Sequence, residues 1–167
     1  MSQSEYDQSV GLNELLCFYE FLAEENEWRY ERVNNNLVLM VIEGNWRIYT
    51  LSVSVNQQNK IMQLTCSFDL NPRKNREKKL YQIINRINHR TPSGTFFVCD
   101  EFEQCVFRDQ IPLIAMPQIK WKNLSGLLNY AVNSCDQYFP AMQLVNYGED
   151  NIDLALAMAI TEVMGTA

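Results

Sequence analysis

Hydrophobic periodicity changes along this chain in a definite order. One stretch of helical period is followed by four strand-like runs, a second helical stretch, two more strand-like runs and two final helical stretches. Runs of strands interrupted by single helices, without strict βαβ alternation, point to an α+β domain rather than a parallel α/β sheet. The expected fold is a twisted, mainly antiparallel sheet with helices packed on one face, in the order α-ββββ-α-ββ-α-α.

The elements follow from residue spacing. Leu12, Leu15, Leu16, Tyr19 and Leu22 recur at helical intervals, with Ser9 as a candidate N-cap and an end near Asn26. Trp28 to Val33 is a short strand, and Asn34-Asn35-Asn36 a turn. Leu37 to Glu43 is a continuous apolar run, the pattern of a central strand buried on both faces. Glu43-Gly44-Asn45 turns the chain into Trp46 to Val55, where Tyr49, Leu51, Val53 and Val55 share a face. From Ile61 to Leu70, Met62, Leu64, Cys66, Phe68 and Leu70 alternate with Gln63, Thr65, Ser67 and Asp69, so one face is buried and one is polar.

Asn71-Pro72 reads as the start of the second helix, with apolar stripe Leu80, Ile83, Ile84 and Ile87. Thr95 to Cys99 and Gln104 to Arg108 form a hairpin, and Ile111 to Pro117 a proline-broken connector. The third helix carries Leu124, Leu127, Leu128, Ala131, Val132 and Cys135 and is expected to stop before Pro140. A last helix follows Asp150 or Asn151, either of which can cap it. Residues 1–10 read as a loosely ordered N-terminus and 11–167 as one domain, a normal size for 167 residues.

Composition excludes several functions. Net charge is −6, which argues against general affinity for nucleic acid or anionic lipid. Uninterrupted apolar runs such as Leu37 to Ile42 are far too short to cross a bilayer, and Met1 to Ser9 lacks the features of a signal peptide. The five cysteines form no C-x-x-C and read as small buried hydrophobes in a reducing, cytoplasmic setting. His89 is the sole histidine, so any nucleophile–histidine pair would have to use it; its place at a helix end is that of a surface residue. Neither zinc-type spacing nor a phosphate-binding glycine motif occurs, and no cofactor is implied. Asp100, Glu101 and Glu103 make an acidic hairpin tip without the ligand spacing of a calcium loop.

Charge is unevenly placed. Residues 71–90 hold seven of the fourteen basic side chains, and the first 31 residues carry eight acids against Arg29. Lys79, Arg86 and Arg90 fall on one stripe of the second helix beside its apolar face, a candidate dock for an acidic protein partner, set against the plainer reading of a solvated helix face. Arg73, Lys74 and Arg76 crowd that helix's N-terminus, where its dipole disfavours cations. A second reading places a small-molecule pocket between sheet and helices, lined by Trp46, Tyr49, Phe96 and Phe107; such aromatics are more often core.

Several segments carry a family resemblance. Trp28-Arg29-Tyr30-Glu31-Arg32 and Glu43-Gly44-Asn45-Trp46-Arg47-Ile48-Tyr49 resemble the opening of YbjN-like proteins. So do Leu64 to Asp69, Ile87-Asn88, Val106-Phe107-Arg108, Ser134 to Gln143 and Ala155 to Ala167. The likeness spans about residues 12–167 and is strongest to the form found in alphaproteobacteria. One departure stands out: where the family pattern has Trp-x-Gly-His-Phe, this chain reads Pro92-Ser93-Gly94-Thr95-Phe96. The resemblance implies a fold similar to type III secretion chaperones, a homodimer, an unidentified protein partner, and a non-enzymatic role in regulation, the family being catalogued under bacterial sensory transduction.

Overall fold

The computed structural model describes residues 3–114 and 121–164, with side chains from 13 to 114 and 122 to 160. The elements are α1 (Gln3–Glu25), β1 (Arg29–Asn34), β2 (Leu37–Glu43), β3 (Ile48–Asn56), β4 (Ile61–Asp69), α2 (Glu77–Arg90), β5 (Thr95–Cys99), β6 (Gln104–Pro112), α3 (Trp121–Asn146) and α4 (Ile152–Met164). Six strands form one sheet in the order β1-β2-β3-β4-β6-β5, and every neighbouring pair is antiparallel. This is the expected α+β order. Because α2 intervenes between β4 and β5, the last hairpin returns with β6 against β4 and β5 outermost.

Period-two patterning decides which face is covered. Val38, Met40 and Ile42 of β2, Tyr49, Leu51, Val53 and Val55 of β3, and Met62, Leu64, Cys66 and Phe68 of β4 are all buried. Phe107 of β6 and Phe96 of β5 continue that face. Against it lie Leu15, Leu16 and Tyr19 of α1, the α2 stripe Leu80, Ile83, Ile84 and Ile87, and a run of α3 side chains from Leu124 to Val145. Burying each such side chain is worth about 1.5–3 kcal/mol.

Local chemistry moves several boundaries. The first helix begins at Gln3, so Ser9 lies within it rather than at its cap. α2 begins at Glu77, not at Asn71-Pro72, because Asn71 (φ 47°) and Asn75 (φ 68°) are left-handed and a helix cannot pass through them. β6 extends through Pro112, which pairs with Ile61 at the strand end, a place that tolerates proline. α3 runs through Pro140, which withholds one bond from the carbonyl of Asp136. Buried Tyr138, Phe139, Ala141, Met142 and Val145 on either side hold the helix continuous. Asn151, rather than Asp150, caps α4, its Oδ1 accepting the Leu154 N–H at 3.0 Å.

The cations before α2 serve a different helix. Arg76 sends Nε to the Val145 carbonyl (2.8 Å) and Nη2 to the Glu149 carbonyl (2.7 Å), and Nη1 pairs with Asp150 (2.7 Å). It therefore caps the C-terminal end of α3, where the dipole favours positive charge. Asn146 reinforces the joint, accepting the Arg73 N–H and donating to the Leu70 and Asn71 carbonyls. The Arg73 guanidinium stacks on Tyr147, 3.9 Å from the ring centre.

Arg76→Ala should lower stability by about 2 kcal/mol through the lost charged hydrogen bonds, read by urea denaturation. Arg76 also holds the Asp150 carboxyl below its ordinary value. Asp150 thus stays charged to lower pH folded than unfolded; its contribution is complete above the ordinary carboxylate range and is lost as pH falls below about 4. That acid-side loss should be smaller in Asp150→Asn, and an unchanged acid profile would refute the pairing.

Candidate functional site

No described element covers the second face of the sheet. Two rows of side chains cross all six strands there. One reads Arg29, Val41, Thr50, Ser67, Val106, Phe97, and the next Glu31, Leu39, Ser52, Thr65, Arg108, Thr95. Leu37, Ser54, Gln63 and Gln110 form a third, shorter row. In these rows β2, β3 and β4 carry no charge; Arg29 and Glu31 lie on the β1 edge, and Arg108 of β6 lies over the Phe97 ring at 5.0 Å. The middle is aliphatic, hydroxyl and amide: Ser52 and Thr65 share a hydrogen bond, and Gln110 donates to Gln63 at 2.8 Å. The apolar run of β2 was expected to be buried on both faces, yet Leu37, Leu39 and Val41 are half-buried here.

A buried carboxylate fixes the hairpin beside this face. Asp136 on α3 accepts the Tyr49 hydroxyl (2.6 Å) and the Asn45 backbone N–H at both oxygens (3.0 Å each). Burial, and then the bond to Asp136, push the Tyr49 phenol far above its ordinary value, so Tyr49 remains a donor. Gly44 is required at this contact, because a Cβ there would lie 2.1 Å from the Tyr49 ring and 2.7 Å from Asp136 Oδ1. Arg47 completes the joint with its guanidinium 5.2 Å from the centre of the Phe139 ring. The hairpin is thereby drawn toward α3, β3 starts only at Ile48, and Trp46 is left half-exposed at the turn.

The basic stripe of α2 faces α4. Lys79 donates to the Asp150 carbonyl at 3.1 Å, and Arg86 stands 4.0 Å from Asp153. Arg90 is exposed at the end of the helix. Two of the three proposed docking cations thus contact their own chain. His89 is also exposed on this last turn.

The candidate pocket residues are not brought together around a cavity. Tyr49, Phe96 and Phe107 are at most 1% exposed, and Trp46 is 49% exposed. Phe96 packs on Phe107 with ring centres 5.0 Å apart, while Tyr49 belongs to a second cluster with Phe68 and Phe139. Cys66, Cys105 and Cys135 are buried as expected, whereas Cys17 is exposed and Cys99 half-buried. Burial pushes the Cys105 and Cys135 thiols up, keeping them protonated. Among the described residues no His, Cys, Asp and Glu cluster could hold a metal, and no helix is long and apolar enough to cross a membrane.

The segments now seen locked together, Glu43 to Tyr49 and Ser134 to Gln143, are those that carried the family resemblance. The sequence pattern of the YbjN family, described as "Putative bacterial sensory transduction regulator", matches residues 20–144. The chain belongs to the YbjN family. No curated protein matches it by sequence. Its structure is similar to a chain of the ExsC–ExsE complex, with TM-score 0.53 and 11% identity over 83% of this chain and 94% of that one. It is also similar to YbjN of E. coli, with TM-score 0.50 and 8% identity over 90% and 92% of the two chains. A chain of the HopA1–SchA chaperone–effector complex matches at TM-score 0.49 and 10% identity, over 80% and 93%. At these identities the likeness concerns the fold. In the Pro92-Ser93-Gly94-Thr95-Phe96 segment the glycine has a steric reason: Gly94 has φ +76°, and a Cβ there would lie 2.2 Å from Phe107 Cζ. Thr95 is exposed on the open face.

Asp136→Ala leaves the Tyr49 hydroxyl and the Asn45 N–H without an acceptor and should cost about 2–4 kcal/mol. Gly44→Ala should cost at least about as much as an overpacked core residue, ~1–3 kcal/mol. Thermal and urea denaturation measure both, and wild-type stability in either variant would contradict this account of the hairpin joint.

Proposed function

We propose that this YbjN-family chain is a non-catalytic, cytoplasmic protein-binding module, regulatory or chaperone-like, that works as a homodimer joined through its open sheet faces. The carrying observation is that face: six strands wide, free of charge across β2, β3 and β4 in its three central rows, and bearing half-buried Leu37, Leu39 and Val41 in a chain that is 20% charged. Depletion of charge at the centre marks a surface that is covered rather than solvated. A second copy is the occupant that fits. An uncharged face needs no complementary charge opposite it, and rows of Ser, Thr and Gln can hydrogen-bond their own kind across a two-fold axis. Two sheets meeting face to face is a standard packing. Protein binding is supported by the family and by a fold shared with a chain from a two-protein complex.

Sedimentation equilibrium tests the assembly. The wild type should behave as twice 19.5 kDa. Placing four like charges across the axis with Ser52→Arg and Thr65→Arg should yield a folded monomer. A monomeric wild type, or a dimeric double variant, would overturn the sheet-to-sheet reading. Partner binding is tested separately by crosslinking the chain in native cytoplasm. A retained protein whose crosslinks fall on one surface and are absent from a folded control domain supports it, and a folded bait that crosslinks to nothing but itself counts against it.

A further inference from the structure

We propose that the cleft between α2 and the β5–β6 hairpin recognises an arginine or lysine side chain carried on a short extended segment of a partner protein. This deepens the protein-binding reading by giving the partner's chemistry, and it rests on that reading.

The cleft encloses about 140 Å³. Its floor is apolar, made by Leu80, Val98 and Pro72, and its walls carry Glu77, Asp100 and Glu103. No basic side chain lines it. Tyr81 stands beside it, half-exposed, and donates its hydroxyl to Asp100 at 3.0 Å, which fixes that carboxylate at the mouth. The carboxylates do not converge tightly enough to hold a metal. They are instead spread around an apolar floor, the arrangement suited to a cation on a long aliphatic stem: methylenes against Leu80 and Val98, the charged head among the acids, and the Tyr81 ring near its face.

The strand edge supplies an independent reason to expect an extended segment. β5 is outermost in the sheet. The Asn88 side chain takes both the N–H and the C=O of Phe96, at 2.8 and 2.9 Å, so the backbone of Phe96 faces away from β6. Antiparallel alternation turns the backbone of Val98, two residues on, the same way. Asn88 blocks pairing at Phe96 and leaves the donor and acceptor of Val98 at the cleft. Added strands use such a pair for affinity and the adjoining pocket for specificity.

Charge points the same way. The chain is −6 overall, and the nearby cations Arg76, Lys79 and Arg86 are turned toward α3 and α4. Lys74 and Lys78 are exposed and do not line the cleft.

The test is an NMR titration of the isotope-labelled full chain with the capped tripeptide Val-Arg-Val and with its citrulline analogue, equal in shape but uncharged. The arginine peptide should give saturable shifts at Leu80, Tyr81, Val98 and Asp100. Binding of the citrulline peptide should be weaker by about ten-fold or more. Glu77→Gln with Asp100→Asn should weaken the arginine peptide similarly while leaving distant resonances in place, since the new amide still accepts from Tyr81. Equal binding of the two peptides, shifts scattered over the surface, or undiminished binding by the double variant would overturn the proposal. None of these results depends on dimerisation or on capture of the natural partner, so failure here is distinguishable from failure of the protein-binding reading.

Discussion

The architecture depends on one long helix lying under a sheet that has only one buried face. Along its 26 residues, α3 meets other elements at successive points. Near its start, the Leu124 carbonyl accepts the Tyr19 hydroxyl of α1. Tyr130 contacts Ser93 before β5. Asp136 holds the β2–β3 hairpin, Phe139 packs edge-on against Phe68 of β4, and Met142 meets Cys105 of β6. At its end Val145 and Asn146 receive the loop that leads into α2. These contacts join positions 37 to 105 residues apart in sequence, so the helix sets the relative positions of elements that have no local reason to meet. Its continuity through Pro140 matters for this reason. A break at the proline would separate the Asp136 joint from the Asn146 joint.

Local patterns were readable from the chain, and long-range polar contacts were not. The alternation in β4 and the stripe Leu80, Ile83, Ile84, Ile87 appear in the structure as written, because a period of two or 3.6 is a property of neighbours. Two boundaries differ for separate reasons: core contacts carry α3 past Pro140, and left-handed Asn71 and Asn75 delay α2 beyond Asn71-Pro72. Asp136 has no local signature of a site, since a lone acid within a helix has the pattern of a solvated residue. The one available signal was its position among the segments resembling the family, paired with a glycine-bearing turn. The apolar run of β2 was read correctly as hydrophobic, but nothing in it distinguishes a face covered by its own chain from one left open.

The basic cluster divides, in the fold, between cations that bond to their own chain and cations that face solvent. Seven cations between residues 71 and 90 suggest a surface for an acidic partner. In the fold, Arg76 is spent on the carbonyls ending α3, Arg73 on Tyr147, and Lys79 and Arg86 face the start of α4. Exposed ion pairs of this kind contribute little each, and Arg86, 4.0 Å from Asp153, remains largely open to solvent. The apparent conflict between Arg76 and the dipole of α2 disappears once its real contact, the opposite end of another helix, is known. The charged groups that line the cleft beside the β5–β6 turn, Glu77, Asp100 and Glu103, are all acidic.

The two sheet edges bear on how such a module can associate. β1 carries Arg29, Glu31 and Arg32 and shifts register between Arg32 and Asn34, both of which discourage another strand from adding. Arg32 is further held by Glu20 and Tyr30 by Glu24, tying that edge down to α1. At the other edge, Asn88 occupies the Phe96 position and leaves pairing groups only near Val98. Continuous edge-to-edge pairing is therefore obstructed on both sides. A sheet guarded at its edges, with helices filling one face, has its remaining face as the broad surface on which two copies can meet. The short opening beside Val98 adjoins a cleft of about 140 Å³, a side chain's space rather than a strand's. If two copies join through the open face and the cleft beside Val98 takes a partner's side chain, as proposed, the two contacts use different atoms.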